Sequence, residues 1–74
     1  MIVCRLGEIM EERNLSNRNV VEITGVSRNT VKGLQTDASR RVDYDTLDRL
    51  CEGLKLTPGD ILKYIPNNKE DETD

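Results

Sequence analysis

Seventy-four residues make one small domain, and the chain has no histidine, tryptophan or phenylalanine, two cysteines and a net charge of −3. A domain this size buries only about 60% of the surface its unfolded chain exposes, so it relies on regular helix packing, a metal, disulfides or a partner chain. Without histidine, and with Cys4 and Cys51 far apart in the chain, no metal-ligand cluster is indicated.

In chain order, "MIVC" (1–4) is an apolar run too short for a helix, as is "KYIP" (63–66). Both are compatible with strands that pair, within one chain or between two. Leu6, Ile9 and Met10 form the stripe of a first helix over about 5–13. One pattern then recurs four times: an apolar residue, a capping residue, three residues and another apolar residue. It reads Leu15-Ser16 to Val20, Val26-Ser27 to Val31, Val42-Asp43 to Leu47, and Leu56-Thr57 to Ile61. Each is an N-cap flanked by a hydrophobic staple, and Pro58 and Asp60 suit the first and third positions of the last helix. The repeats predict helices over 17–24, 28–35, 44–54 and 58–63. Leu47, Leu50, Cys51 and Leu54 keep helical spacing in the fourth. The expected fold is all-α, a compact bundle of about five short helices over residues 1–66, with room for short terminal β-strands. Residues 67–74 read as an acidic, disordered tail.

Between the second and third helices stands "TGVS" (24–27). Glycine is the cheapest residue for a left-handed helix end, so Gly25 closes one helix and Ser27 opens the next. So tight a turn forces the helices to cross steeply, as in a helix-turn-helix. At about 100° per residue, Ser27, Val31 and Leu34 share the inner face of the third helix. Asn29, Lys32, Gly33 and Thr36 fall opposite, with Arg28 on the flank. Arginine can fork onto guanine O6 and N7, and asparagine can pair with adenine N6 and N7. A serine at a free helix N-terminus suits phosphate oxygens.

The charge distribution agrees. The tail holds Lys69 against Glu70, Asp71, Glu72 and Asp74, so residues 1–66 are neutral overall. Between Asn17 and Arg41 lie Arg18, Arg28, Lys32, Arg40 and Arg41 against Glu22 and Asp37, a local +3. Arg18, Arg40 and Arg41 are placed to give salt-dependent, sequence-blind affinity for a DNA backbone. With two tyrosines as its only aromatics, the chain offers no stacking platform for single strands.

The stretches "LSNRNVVEITGVSRNTVKGLQ" and "DYDTLDRLCEGLKLTPGDILKYIP" resemble the Cro and phage-repressor (Xre-like) family of helix-turn-helix regulators. The shared features are the Gly25 turn, Ser27-x-x-Thr30-Val31 and the Thr-Leu opening of the fourth helix. The resemblance implies a third helix that enters the major groove, usually from a homodimer. It places Arg28, Asn29 and Lys32 at base-contact positions, and Asn17, Arg18, Ser27, Thr30, Arg40 and Arg41 at phosphate positions. Departures from the family are Val21 in place of a small residue at the helix crossing, Gly33 in place of a long polar one, and Asp37 where phosphate would run.

The expected function is sequence-specific binding of double-stranded DNA, at an inverted repeat, by a homodimeric transcriptional regulator of repressor or autoregulatory type. The rival is a helix-turn-helix fold repurposed as a protein-interaction module. No catalytic residues, enzyme activity, cofactor, metal or small-molecule ligand is indicated, since Ser16 and Ser27 serve as caps and no paired carboxylates flank an evident pocket. No membrane segment or targeting signal is visible, so a cytoplasmic protein is expected. In that reducing compartment Cys4 and Cys51 read as buried free thiols rather than a bridge.

Overall fold

The computed structural model describes residues 1–39 and 41–66; Arg40 and the acidic tail lie outside the described residues. The elements run β1 (Ile2–Cys4), α1 (Leu6–Glu12), α2 (Asn17–Thr24), α3 (Arg28–Gln35), α4 (Tyr44–Leu54), α5 (Pro58–Ile61) and β2 (Leu62–Tyr64). This is the expected five-helix bundle, with two short terminal strands. No described helix is long and apolar enough to cross a membrane.

The staples work as the sequence predicts. Val20, Val26, Val31 and Ile61 are buried, so three of the four caps sit beside an anchor in the core, while Val42 and Leu47 around Asp43 are half-buried and pack against it. Ser16 and Asn19 form a reciprocal capping box, with the Asn19 amide donating to Ser16 Oγ at 3.1 Å and the Ser16 amide to Asn19 Oδ1 at 3.0 Å. Around these anchors pack Leu6, Ile9 and Met10 of α1, Leu34 of α3, and Leu50 and Leu54 of α4. Helices too short to hold alone thus gain their stability from one shared apolar core.

Helix ends show a feature that composition hides. Asn14, Asp37 and Lys55, none of them glycine, adopt left-handed φ values of 59°. Behind each, an amide reaches five residues back: Leu15 to Met10 at 2.8 Å, Ala38 to Gly33 at 2.9 Å and Leu56 to Cys51 at 2.9 Å. These are Schellman closures, which satisfy orphan carbonyls and turn the chain sharply.

Two expectations need correction. The fifth helix stops at Ile61 rather than 63, because Leu62–Tyr64 pair antiparallel with Ile2–Cys4, Ile2 opposite Tyr64 and Cys4 opposite Leu62. The pairing is within one chain, extended by the Ile65 amide donating to Met1 O at 2.7 Å. Cys4 and Cys51 are free thiols, but half-buried rather than fully so. Desolvation nonetheless pushes both thiols up, which keeps them protonated and poorly reactive near neutral pH.

Candidate nucleic-acid interface

The site begins at the turn. Gly25 adopts φ 78° and ends α2, its amide donating to Val21 O at 2.8 Å. No Schellman closure follows here. Thr24 Oγ1 donates to Val20 O at 2.7 Å and accepts from the Val26 amide at 3.2 Å. The chain therefore leaves α2 at once. Val26 enters the core, and Ser27 caps α3 by accepting from the Thr30 amide at 3.3 Å.

Helix α3 is divided between core and solvent. Val31 and Leu34 are buried, whereas Arg28, Asn29, Thr30, Lys32 and Thr36 are exposed. Arg28, Lys32 and Arg41 make no ion pair among the described residues. Arg18 pairs with Glu22 at 3.4 Å, but both side chains are well exposed, and such a pair holds an arginine only weakly.

Ser27 is itself exposed, not on the inner face as the wheel placed it. A cap residue sits outside the helix, and the wheel has no meaning there. Its hydroxyl donates to Thr30 Oγ1 at 2.8 Å, which leaves the Thr30 hydroxyl hydrogen for an outside acceptor. Asn17 is half-buried, and its Nδ2 donates to the Arg28 carbonyl at 3.3 Å. The amide predicted for phosphate thus ties the head of α2 to the head of α3. Its Oδ1 is buried with no partner among the described residues.

Gly33 is not open to solvent either. Its carbonyl accepts from the amides of Ala38 (2.9 Å) and Ser39 (3.0 Å). A Cβ added there would meet Ser39 Cβ at 3.1 Å. The space that glycine frees is filled by this chain's own loop. Ser39 Oγ in turn holds the Arg41 main chain, donating to its carbonyl at 3.0 Å. Arg41 is thereby carried beside α3, where Asn29, Thr30, Ser39, Arg41, Asp43 and Thr46 border an open cleft of about 450 Å³. Asp43 caps α4 without a regular cap hydrogen bond. The Thr46 hydroxyl still holds its carboxyl below the usual range, aided by backbone amides and by Arg49.

Asp37 is held by a contact within the fold. Its left-handed conformation turns the carboxylate toward β1, where Oδ1 accepts from the Cys4 amide at 3.3 Å. It ties α3 to the terminal ribbon. Nothing local in the sequence announces this, because Cys4 lies across the fold.

The residue that sequence reading missed is Arg49. From α4 its Nη1 donates to the Gly25 carbonyl at 3.3 Å, while Nε pairs with Asp45 at 3.1 Å. Asp45 and Arg49 stand four apart on a helix, an ordinary surface pair by spacing, and only the fold brings them to the turn.

Two short helices joined through a left-handed glycine, the second with a polar, cationic outer face, define a helix-turn-helix unit within a five-helix bundle. The chain belongs to the family of Cro/C1-type helix-turn-helix DNA-binding domains, whose model matches residues 5–67. It is also similar to YozG of Bacillus subtilis (strain 168), an uncharacterised helix-turn-helix-type transcriptional regulator. The two are 25% identical over 63 residues, which span 85% of this chain and 75% of that protein. The resemblance read from the turn and cap residues is borne out at the level of family and fold.

Proposed function

We propose that this protein is a sequence-specific regulator of transcription, of repressor or autoregulatory type, that reads the major groove of double-stranded DNA with α3. The observation that carries the reading is the division of that helix. Val31 and Leu34 lock one side into the core, while Arg28, Asn29 and Lys32 stand exposed on the other, the two cations without an ion pair among the described residues. An arginine fork and an asparagine amide match guanine and adenine edges respectively. YozG, described as a helix-turn-helix-type regulator, supports the regulatory role.

Around that helix, Arg18, Ser27, Thr30 and Arg41 are exposed and take the phosphates, with Arg40 beside them in sequence. Asn17 adds its second amide hydrogen, the first being spent on Arg28. Phosphate contacts fix register and orientation, while base contacts supply the sequence reading. The protein acts as a homodimer on an inverted repeat, with half-sites about 34 Å apart, one turn of the duplex.

Selection of bound sites from a randomised duplex pool, at near-physiological salt, tests the reading. Enrichment of a two-fold symmetric site is the expected result. A folded protein that enriches nothing is instead a partner-binding module. Sedimentation of a strict monomer, free and on DNA, would overturn the dimer.

A further inference from the structure

The C-terminal ends of α1 to α4 are not closed alike. At Asn14, Asp37 and Lys55 a backbone amide from the next residue reaches back into the helix. At Gly25 that amide, from Val26, is taken by Thr24 Oγ1. The turn between α2 and α3 is thus held by side chains, and one of them comes from outside it. Arg49 Nη1 reaches the Gly25 carbonyl at 3.3 Å, and Asp45 holds the same guanidinium through Nε at 3.1 Å. Gly25 itself, with no Cβ, leaves Nη1 in ordinary contact at 3.6 Å from where one would stand.

We infer that Arg49, steadied by Asp45, is a positioning residue for DNA recognition: it fixes the Gly25–Val26 peptide and so sets the direction in which α3 presents Arg28 and Asn29. The physical basis is leverage. The peptide after Gly25 lies one residue from the Ser27 cap, and rotation about a left-handed glycine costs little. Without an anchor, a small rotation there is carried along the whole of α3. Arginine suits the post because its planar fork serves a carboxylate and a carbonyl together. The exposed ion pair adds little stability by itself, so the role concerns orientation rather than folding. The inference rests on the DNA-reading proposal above.

The test compares Arg49→Met, which keeps an aliphatic stem, Arg49→Lys, which keeps a donor, and Asp45→Asn, which loosens the buttress. Three quantities are read: melting temperature, the affinity ratio between the selected site and a random duplex, and the slope of log affinity against log salt. Arg49→Met is expected to lower the affinity ratio roughly three- to thirtyfold at unchanged salt slope and nearly unchanged melting temperature. Arg49→Lys should recover part of the ratio, and Asp45→Asn should lose a smaller part. A salt slope reduced by about one unit in Arg49→Met would make Arg49 a phosphate contact and overturn the inference. An unchanged ratio would overturn it too.

A DNA-independent readout separates this inference from the proposed function. In free protein, Arg49→Met should shift the Val26 amide nitrogen resonance, because that nitrogen shares a peptide with the Gly25 carbonyl. An unmoved resonance means there is no latch, whatever the DNA result. A parent protein that binds no duplex overturns the DNA reading alone, leaving the latch to be judged by the resonance.

Discussion

Gly33 and Ser39 lie face to face: the Gly33 carbonyl accepts the Ser39 amide at 3.0 Å, and the Ser39 Cβ stands 3.1 Å from where a Gly33 Cβ would be. Glycine in a helix interior costs about 1 kcal/mol against alanine, and here the loss has a structural return. The loop folds back onto α3 and carries Arg41 with it. Gly33→Ala should therefore gain helix propensity while pushing the loop outward by a few tenths of an ångström. The expected outcome is a melting temperature within a few degrees of the parent and weaker binding to the selected duplex. Gly33→Leu should weaken binding further. Parental affinity in both variants would show that the loop's place beside α3 has no bearing on binding.

Under the proposed function, the exposed polar residues of α3 and its loop should divide by role. Arg28→Ala and Asn29→Ala should each cost about 1–3 kcal/mol on the preferred site and blur one base position. Arg41→Ala should weaken all duplexes alike and lower the salt slope by about one unit. Binding isotherms on matched and single-substituted duplexes, across a salt series, check both. Full affinity and unchanged preference in Arg28→Ala and Asn29→Ala would dismiss the base-contact assignment.

Gly7 meets α3 at its far end. A Cβ added there would press into the Gln35 main-chain carbonyl, and backbone cannot swing aside as a side chain can. Gly7→Ala should destabilise the fold by about 1–3 kcal/mol, as overpacking does, despite a better helix propensity. Urea unfolding should show a lower midpoint at constant slope. A midpoint at or above the parent's would mean that α1 and α3 separate freely.

Acid sensitivity should trace to two helix heads. The Asp60 carboxyl lies below its ordinary 3.8 because the Thr57 amide donates to it, followed by the Thr57 hydroxyl. Asp43 is lowered chiefly by the Thr46 hydroxyl. A depressed folded-state value adds stability above the unfolded value, about 3.9, and that stability is lost as pH falls through the folded value. Stability from these caps is therefore level near neutrality and declines below about pH 4. In Asp60→Asn the urea midpoint should fall less steeply over that acid range than in the parent. An identical acid decline would place the sensitivity elsewhere.

Much of this fold is legible along the chain. Caps at Ser16 and Ser27, staples at Val20 and Val31, and the left-handed Gly25 each depend on neighbours within five residues, so local spacing reveals them. The family follows from the same residues, since the turn and its flanking caps are its signature. The outer face of α3 is legible for that reason too. Its periodicity assigns Arg28, Asn29 and Lys32 to solvent once Val31 and Leu34 are taken by the core.

What lay beyond the sequence has one physical character: a polar group from one element meeting backbone from another. Arg49 on Gly25, Asn17 on Arg28, Asp37 on Cys4 and Ser39 on Gly33 are such meetings, and no periodicity encodes them. The fifth helix ended early for the same reason, because Leu62–Tyr64 found a partner strand sixty residues upstream. The sequence by itself determined which segments are helical and which faces are apolar, because caps and spacing act locally. Only the tertiary structure decided how the turn is held and where the loop runs, because those depend on hydrogen bonds between elements that the fold alone brings together.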